Sequence, residues 1–163
     1  MTGEKIKPAA TALLCLVLIF AGCDKKIVYT DFVKIPEENW TIDNVISFAP
    51  VITDTSSVSN VFITIRTGVE YPYQNIWLFV STYSPSGRTI TDTVEYMLAD
   101  ARGKRTGRGF GNIKENDLIF RKGVYFPEKG TYIINVRHGM RTGNLKGVYN
   151  VGLRIEKAEI PVK

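Results

Sequence analysis

Cysteine and histidine are nearly missing from this chain, whose 163 residues include two Cys and one His. A disulfide scaffold needs paired thiols and a histidine-rich zinc centre needs several imidazoles, so both are excluded. Long apolar runs are scarce too: beyond Ala9–Gly22 none approaches the ~20 residues of a membrane-spanning helix, which excludes a polytopic membrane protein. There is no internal repeat, no low-complexity tract and no sustained helical periodicity. With 44% hydrophobic and 23% charged residues the chain is not disordered, and its length suits one globular domain.

What is present begins with an address. Lys5 and Lys7 precede the uncharged segment Ala9–Gly22, and small residues close it at Phe20-Ala21-Gly22-Cys23. Charge, then apolar residues, then small residues is the order of an export signal. The ending resembles the lipobox cut by bacterial lipoprotein signal peptidase, with Phe20 where Leu is usual. Residues 1–22 are therefore expected to be a cleaved lipoprotein signal peptide, with Cys23 the acylated first residue and 23–26 a lipid anchor and short tether. Two other readings exist: a secretory signal cut nearby that leaves Cys23 free, or an uncleaved anchor. With Cys15 discarded and Cys23 acylated, no thiol remains for a disulfide or a nucleophile. Removing Lys5, Lys7 and Glu4 takes the formal charge from +5 to +4. For an exported protein that mild excess suits a membrane surface or an acidic partner, or ordinary solubility; nucleic acid is not an expected partner.

The body, residues 27–160, reads as short β-rich runs separated by Gly, Pro, Asn and Asp. Strands are expected at Ile27–Val33, Val45–Thr53, Val58–Arg66, Ile76–Tyr83, Thr89–Leu98, Leu118–Phe126, Thr131–His138 and Tyr149–Glu156. Alternation supports them: Val61, Ile63 and Ile65 share one face of a strand and Thr64 and Arg66 the other, as do Val151, Leu153 and Ile155 against Arg154 and Glu156. The run Ile76-Trp77-Leu78-Phe79-Val80 has no polar face and is expected to be a central strand covered on both sides, with Trp77 in the core. The fold class is all-β: an antiparallel β-sandwich of about eight strands, Ig-like or jelly-roll-like, in two sheets of about four.

Catalytic constellations do not assemble. His138 stands alone and reads as a structural or surface residue, and a Ser-His-Asp site lacks its nucleophile elbow. Asp92, Glu95 and Asp100 are close in sequence, but on a strand 92 and 95 point to opposite faces. The stretch Arg102–Gly111 mixes Gly with Arg and Lys, yet Arg105 follows Lys104 where a phosphate loop needs Ser or Thr. It reads as a mobile basic connection, or as a docking loop for an anionic partner through Arg105 and Arg108. Among the aromatic residues, Tyr71 and Tyr73 flank a Pro turn and are the candidates for an exposed binding role. Asn39-Trp40-Thr41 matches a eukaryotic glycosylation sequon, which carries little weight behind a bacterial lipobox.

Several pieces together resemble the GldH family of gliding-motility lipoproteins from Bacteroidota-type bacteria. They are the lipobox at Cys23, the Trp40 region, Arg66-Thr67-Gly68, Tyr71-Pro72-Tyr73-Gln74-Asn75-Ile76-Trp77-Leu78, Leu98-Ala99-Asp100 with the glycine-rich loop, His138-Gly139-Met140-Arg141 and Val151–Glu156. The resemblance implies a non-enzymatic cell-envelope lipoprotein of the gliding and type IX secretion-associated machinery. Its expected partners are the membrane, through the N-terminal lipid, and other envelope or motility proteins. No cofactor, no metal and no small-molecule substrate are expected. Asp24-Lys25-Lys26 departs from acid-rich surface-export tags, which points to the periplasmic side of the outer membrane. Interaction residues are expected among Tyr71, Tyr73, Arg105, Arg108 and Arg141. The alternative is a glycan-binding module using Tyr71, Tyr73 and Tyr83 with the basic loop.

Overall fold

The computed structural model describes residues 26–109 and 111–159; the expected signal peptide, Cys23 and most of the tether lie outside the described residues. Among the described residues the strands are β1 (Ile27–Lys34), β2 (Asn39–Thr41), β3 (Ile46–Phe48), β4 (Val51–Ile52), β5 (Ser59–Thr67), β6 (Asn75–Tyr83), β7 (Thr89–Met97), β8 (Lys114–Val124), β9 (Gly130–Thr131), β10 (Ile133–His138), β11 (Asn144–Lys146) and β12 (Val148–Lys157), with one 3-10 turn at Pro36–Glu38. Two four-stranded sheets form, in the orders β1-β12-β5-β8 and β3-β10-β6-β7, and two short ribbons pair β2 with β11 and β4 with β9. Every pairing is antiparallel. This is a sandwich and not a closed barrel.

Period-2 patterning places the core. Val61, Ile63 and Ile65 of β5 and Val151, Leu153 and Ile155 of β12 are buried, and they meet Ile76, Leu78 and Val80 of β6 and Ile134 and Val136 of β10 in one apolar cluster. Each such side chain contributes about 1.5–3 kcal/mol when fully buried. β6 is an interior strand, as expected. Its outer face, however, is open: Trp77 is 38% exposed and Phe79 is half-buried, so Trp77 is not a core residue.

Two expected strands are split. Val45–Thr53 divides into β3 and β4, and Thr131–His138 begins as β9 and β10. The register does not change across the breaks, since Phe48 faces Ile134 and Val51 faces Thr131. Between them the Tyr132 N–H donates to the Pro50 carbonyl at 3.0 Å. Proline has no N–H to return, so one missing bond interrupts a continuous ladder.

The ribbon of β2 and β11 closes one end of the sandwich with Trp40 opposite Leu145, both fully buried. Gly147 locks this end: its N–H donates to the Glu38 carbonyl and its carbonyl accepts from the Gly68 N–H, each at 2.8 Å. Its φ of +76° and the Tyr71 backbone packed against it leave no room for a side chain.

The glycine-rich connection is not a loose loop. The Asp100 carboxylate accepts the Arg102 and Lys104 N–H groups, both at 2.9 Å, and Arg105 Nη2 donates to the Thr67 carbonyl at 2.7 Å. Arg108 exchanges backbone bonds with Glu115 and forms an ion pair with Asp117. Hydrogen bonds therefore tie this segment to the sheet.

Candidate functional site: an aromatic sheet face

The two outer faces of the sandwich differ in chemistry. On the first sheet, cross-strand partners place charges beside one another: Arg66 pairs with Glu115 at 2.5 Å, and Asp117 accepts from Thr64 at 2.7 Å and from Arg154 at 3.3 Å. Arg66 and Arg154 also lie over the rings of Phe32 and Phe62, at 5.2 and 4.2 Å. Arg66, Arg154, Glu115 and Asp117 on this face are paired within the chain.

The second sheet presents carbon. Trp77, Phe79, Ser81 and Tyr83 alternate outward along β6, about 6.8 Å apart at every second residue. Opposite them on β7 stand Glu95, Thr93, Thr91 and Thr89. Arg137 of β10 lies over the Phe79 ring at 5.2 Å. The ring also rests on Gly139, where a Cβ would stand 3.0 Å from it, so a side chain here would push Phe79 off the sheet.

Two shallow depressions flank this aromatic row. One is lined by Tyr73, Asn75, Trp77, Gly139, Met140 and Arg141, the other by Val45, Phe79, Tyr83, Asn135 and Arg137 among others. Met140 is fixed by the Trp77 N–H, which donates to its Sδ at 3.4 Å. Exposed Trp, Tyr and Arg beside the buried Met140, with a single carboxylate, Glu95, is the composition that distinguishes the centres of protein interfaces.

The sequence-derived candidates divide accordingly. Tyr73, 41% exposed, and Arg141 come together in the first depression, and Tyr83 stands at the far end of the same face. Tyr71 does not join them: it is 6% exposed, its hydroxyl donates to the Asn75 carbonyl at 2.7 Å, and burial raises its pKa well above the phenol range. Its ring instead props Tyr73 edge-on at 5.9 Å. Arg105 and Arg108 turn toward Thr67 and Asp117 of the first sheet. Trp77, Phe79 and Arg137 were missed because an all-apolar run reads as doubly buried; the signal was that β6 alone alternates aliphatic with aromatic residues.

His138 is fully buried against Trp40, with ring centroids 5.4 Å apart and an edge-on angle of 72°. Neither ring nitrogen has a hydrogen-bond partner in good geometry, and burial lowers the imidazole pKa, with the Trp40 backbone opposing the shift and the Arg137 charge adding to it. The unfolded chain thus binds a proton more readily than the folded one. Stability is full above the unfolded value of about 6.5 and falls as pH drops below it. Chemical denaturation at pH 7.5 and 5.5 should show this loss, and a His138→Phe chain should show less of it; equal slopes for both would refute the assignment. Among the described residues no cluster of three His, Cys, Asp or Glu could hold a metal ion, and no helix is long and apolar enough to cross a membrane.

These features define an antiparallel β-sandwich protein whose distinguishing surface is an open aromatic sheet face. The GldH lipoprotein sequence profile matches residues 27–155, nearly the whole described body. A "Gliding motility lipoprotein GldH homolog" of Christiangramia forsetii is 35% identical over 150 residues, covering 88% of this chain and 91% of the relative. "Gliding motility lipoprotein GldH" of Flavobacterium johnsoniae is 33% identical over 162 residues, covering 95% and 99%. The chain belongs to the GldH lipoprotein family. Among solved structures, one of infectious bursal disease virus aligns with 96% of this chain and 37% of the viral chain at 13% identity and a TM-score of 0.38, too distant to carry an argument.

Proposed function

We propose that this protein is a non-enzymatic gliding-motility lipoprotein, anchored through Cys23 on the periplasmic side of the outer membrane, that acts by binding other envelope proteins. The observation that carries the reading is the aromatic face of β6, where Trp77, Phe79 and Tyr83 stay in water at the cost of unburied apolar area. The names of the two relatives and the family supply the motility context. The glycan-binding alternative loses Tyr71 to the core, and its other tyrosines, Tyr73 and Tyr83, stand at opposite ends of β6.

Geometry orients the face. The chain enters at Ile27, at the end of the sandwich where Lys157 and Ser59 also lie. The four tether residues 23–26 reach at most about 14 Å. Tyr73 and Arg141 lie at the opposite end, turned away from the lipid.

A Trp77→Ala, Phe79→Ala double variant tests the proposal. Both side chains point outward, so folding stability should change by about 1 kcal/mol or less. Surface spreading of a deletion strain, restored by the wild-type gene, should fall to less than a tenth with the double variant. Full restoration by a folded double variant would refute it.

A further inference from the structure

The four sheet edges are not equally protected. β1 carries a register irregularity between Ile27 and Tyr29 and sets Asp31 opposite the buried Leu153. β8 has two irregularities along its pairing with β5 and carries Arg121-Lys122-Gly123 just before its last residue. β3 is three residues long and runs into Pro50. Bulges, charges, brevity and proline are the devices that stop an edge from pairing. β7 lacks the bulge, the brevity and the proline: nine residues, Thr-Ile-Thr-Asp-Thr-Val-Glu-Tyr-Met, pair with β6 in unbroken register, without Lys, Arg, Pro or Gly, and its only charges are Asp92 and Glu95. Its one inward carboxylate, Asp92, is already neutralised by an ion pair with Arg121.

The direction of its free groups follows from the ladder. The Leu98 N–H donates to the Gln74 carbonyl at 2.6 Å and the Ser84 N–H to the Arg88 carbonyl at 2.8 Å, both in the β6–β7 register. Bonds in an antiparallel pair alternate, so Ile90, Asp92, Val94 and Tyr96 bond to β6, while Thr91, Thr93 and Glu95 aim N–H and C=O outward. Beside this edge the two sheets part in an apolar cleft. Val61, Ile90, Phe120, Val124, Phe126 and Ile134 line it, together with the Asp92–Arg121 ion pair.

We propose that β7 accepts an extended segment of a partner protein as a fifth strand, with apolar side chains at alternate positions entering the cleft and a Lys or Arg standing beside Glu95. The main chain of β7 supplies the hydrogen bonds and the cleft supplies the selectivity. Charge selects the occupant. A second copy meeting β7 across a two-fold axis would bring a second Glu95 carboxylate and no Lys or Arg along the strand, so self-pairing is disfavoured. The inference rests on the protein-binding reading above and specifies how the contact is made.

The full chain is expressed in its own cells with a photo-reactive benzoylphenylalanine at Thr91, alone or combined with Thr93→Pro or Thr93→Val. Proline deletes one outward N–H and no bond to β6; valine keeps the N–H. The crosslink to another envelope protein should fall at least tenfold with Pro and stay within twofold with Val. In the wild-type assembly, amide exchange at Thr91, Thr93 and Glu95 should slow at least tenfold against the purified chain, a readout that needs no variant to fold. Equal crosslinking by the Pro and Val chains, a crosslink to a second copy, or unchanged exchange would overturn strand addition. Crosslinks formed from Trp77 but not from Thr91 would overturn it and leave the protein-binding reading intact, whereas crosslinks from neither would remove both.

Discussion

Truncating Trp40 to alanine should destabilise the protein by about 3–5 kcal/mol, among the largest effects of a single core substitution. Trp40 is fully buried, the largest such side chain described, and sits in a strand of only three residues. Its Nε1 donates to the Asn44 carbonyl at 2.8 Å, and its ring meets His138 edge-on. Removing it opens a cavity under the β2–β11 ribbon, leaves the Asn44 carbonyl without that donor and exposes His138 to water. For a body of this size the melting temperature should drop by roughly 10–20 °C. Trp40→Phe keeps most of the ring and loses the hydrogen bond, so its cost should be about 1–2 kcal/mol. Thermal and urea unfolding check both values. A Trp40→Ala chain melting within about 3 °C of wild type would show that the ribbon is not part of the cooperative core.

Why Trp40 could not be found in the sequence is instructive. Alternation needs several residues to register, and β2 and β11 have three each, so Trp40 and Leu145 have no periodic context. Asn39-Trp40-Thr41 offered a sequon instead. The long strands were legible because each has one apolar buried face and one more polar face: β5 and β12 follow the pattern of Val61, Ile63 and Ile65 and of Val151, Leu153 and Ile155. β6 is the instructive exception. Ile76, Leu78 and Val80 are dry as expected, but Trp77 and Phe79 are apolar and wet, and a hydropathy pattern cannot distinguish a second core from a partner's seat. The split at Pro50 was legible in principle, since proline removes a ladder donor, though the unbroken register across it was not. Tyr71 and Tyr73 flank the same proline with equal sequence cues; only the packing of Gly147 and Asn75 beneath the turn decides that Tyr71 faces in.

The remaining residue with a large expected effect lies outside the described part of the chain. Substituting Cys23→Ala, with residues 1–22 exchanged for a secretory signal cut just ahead of it, should move more than nine-tenths of the protein from the membrane pellet to the soluble fraction. The physical reason is additive: each buried methylene of an acyl chain contributes about 0.8 kcal/mol, so one chain holds a protein marginally and a second makes release rare. Among the described residues no helix is long and apolar enough to cross a membrane. The apolar cluster of the body begins at Val28, beyond the tether, so the melting temperature should stay within about 2 °C of wild type. Loss of spreading by this variant would then reflect position and not misfolding. On the proposed anchor, a partner-binding sandwich would be held within about 14 Å of the membrane by its four-residue tether and would meet membrane-bound partners in two dimensions, and release would dilute it into a volume where the same contacts are rarely made. A released, folded chain that restores full spreading would show that the anchor is dispensable. Mass spectrometry finding a bare Cys23 thiol on protein from its own cells would remove the anchor altogether.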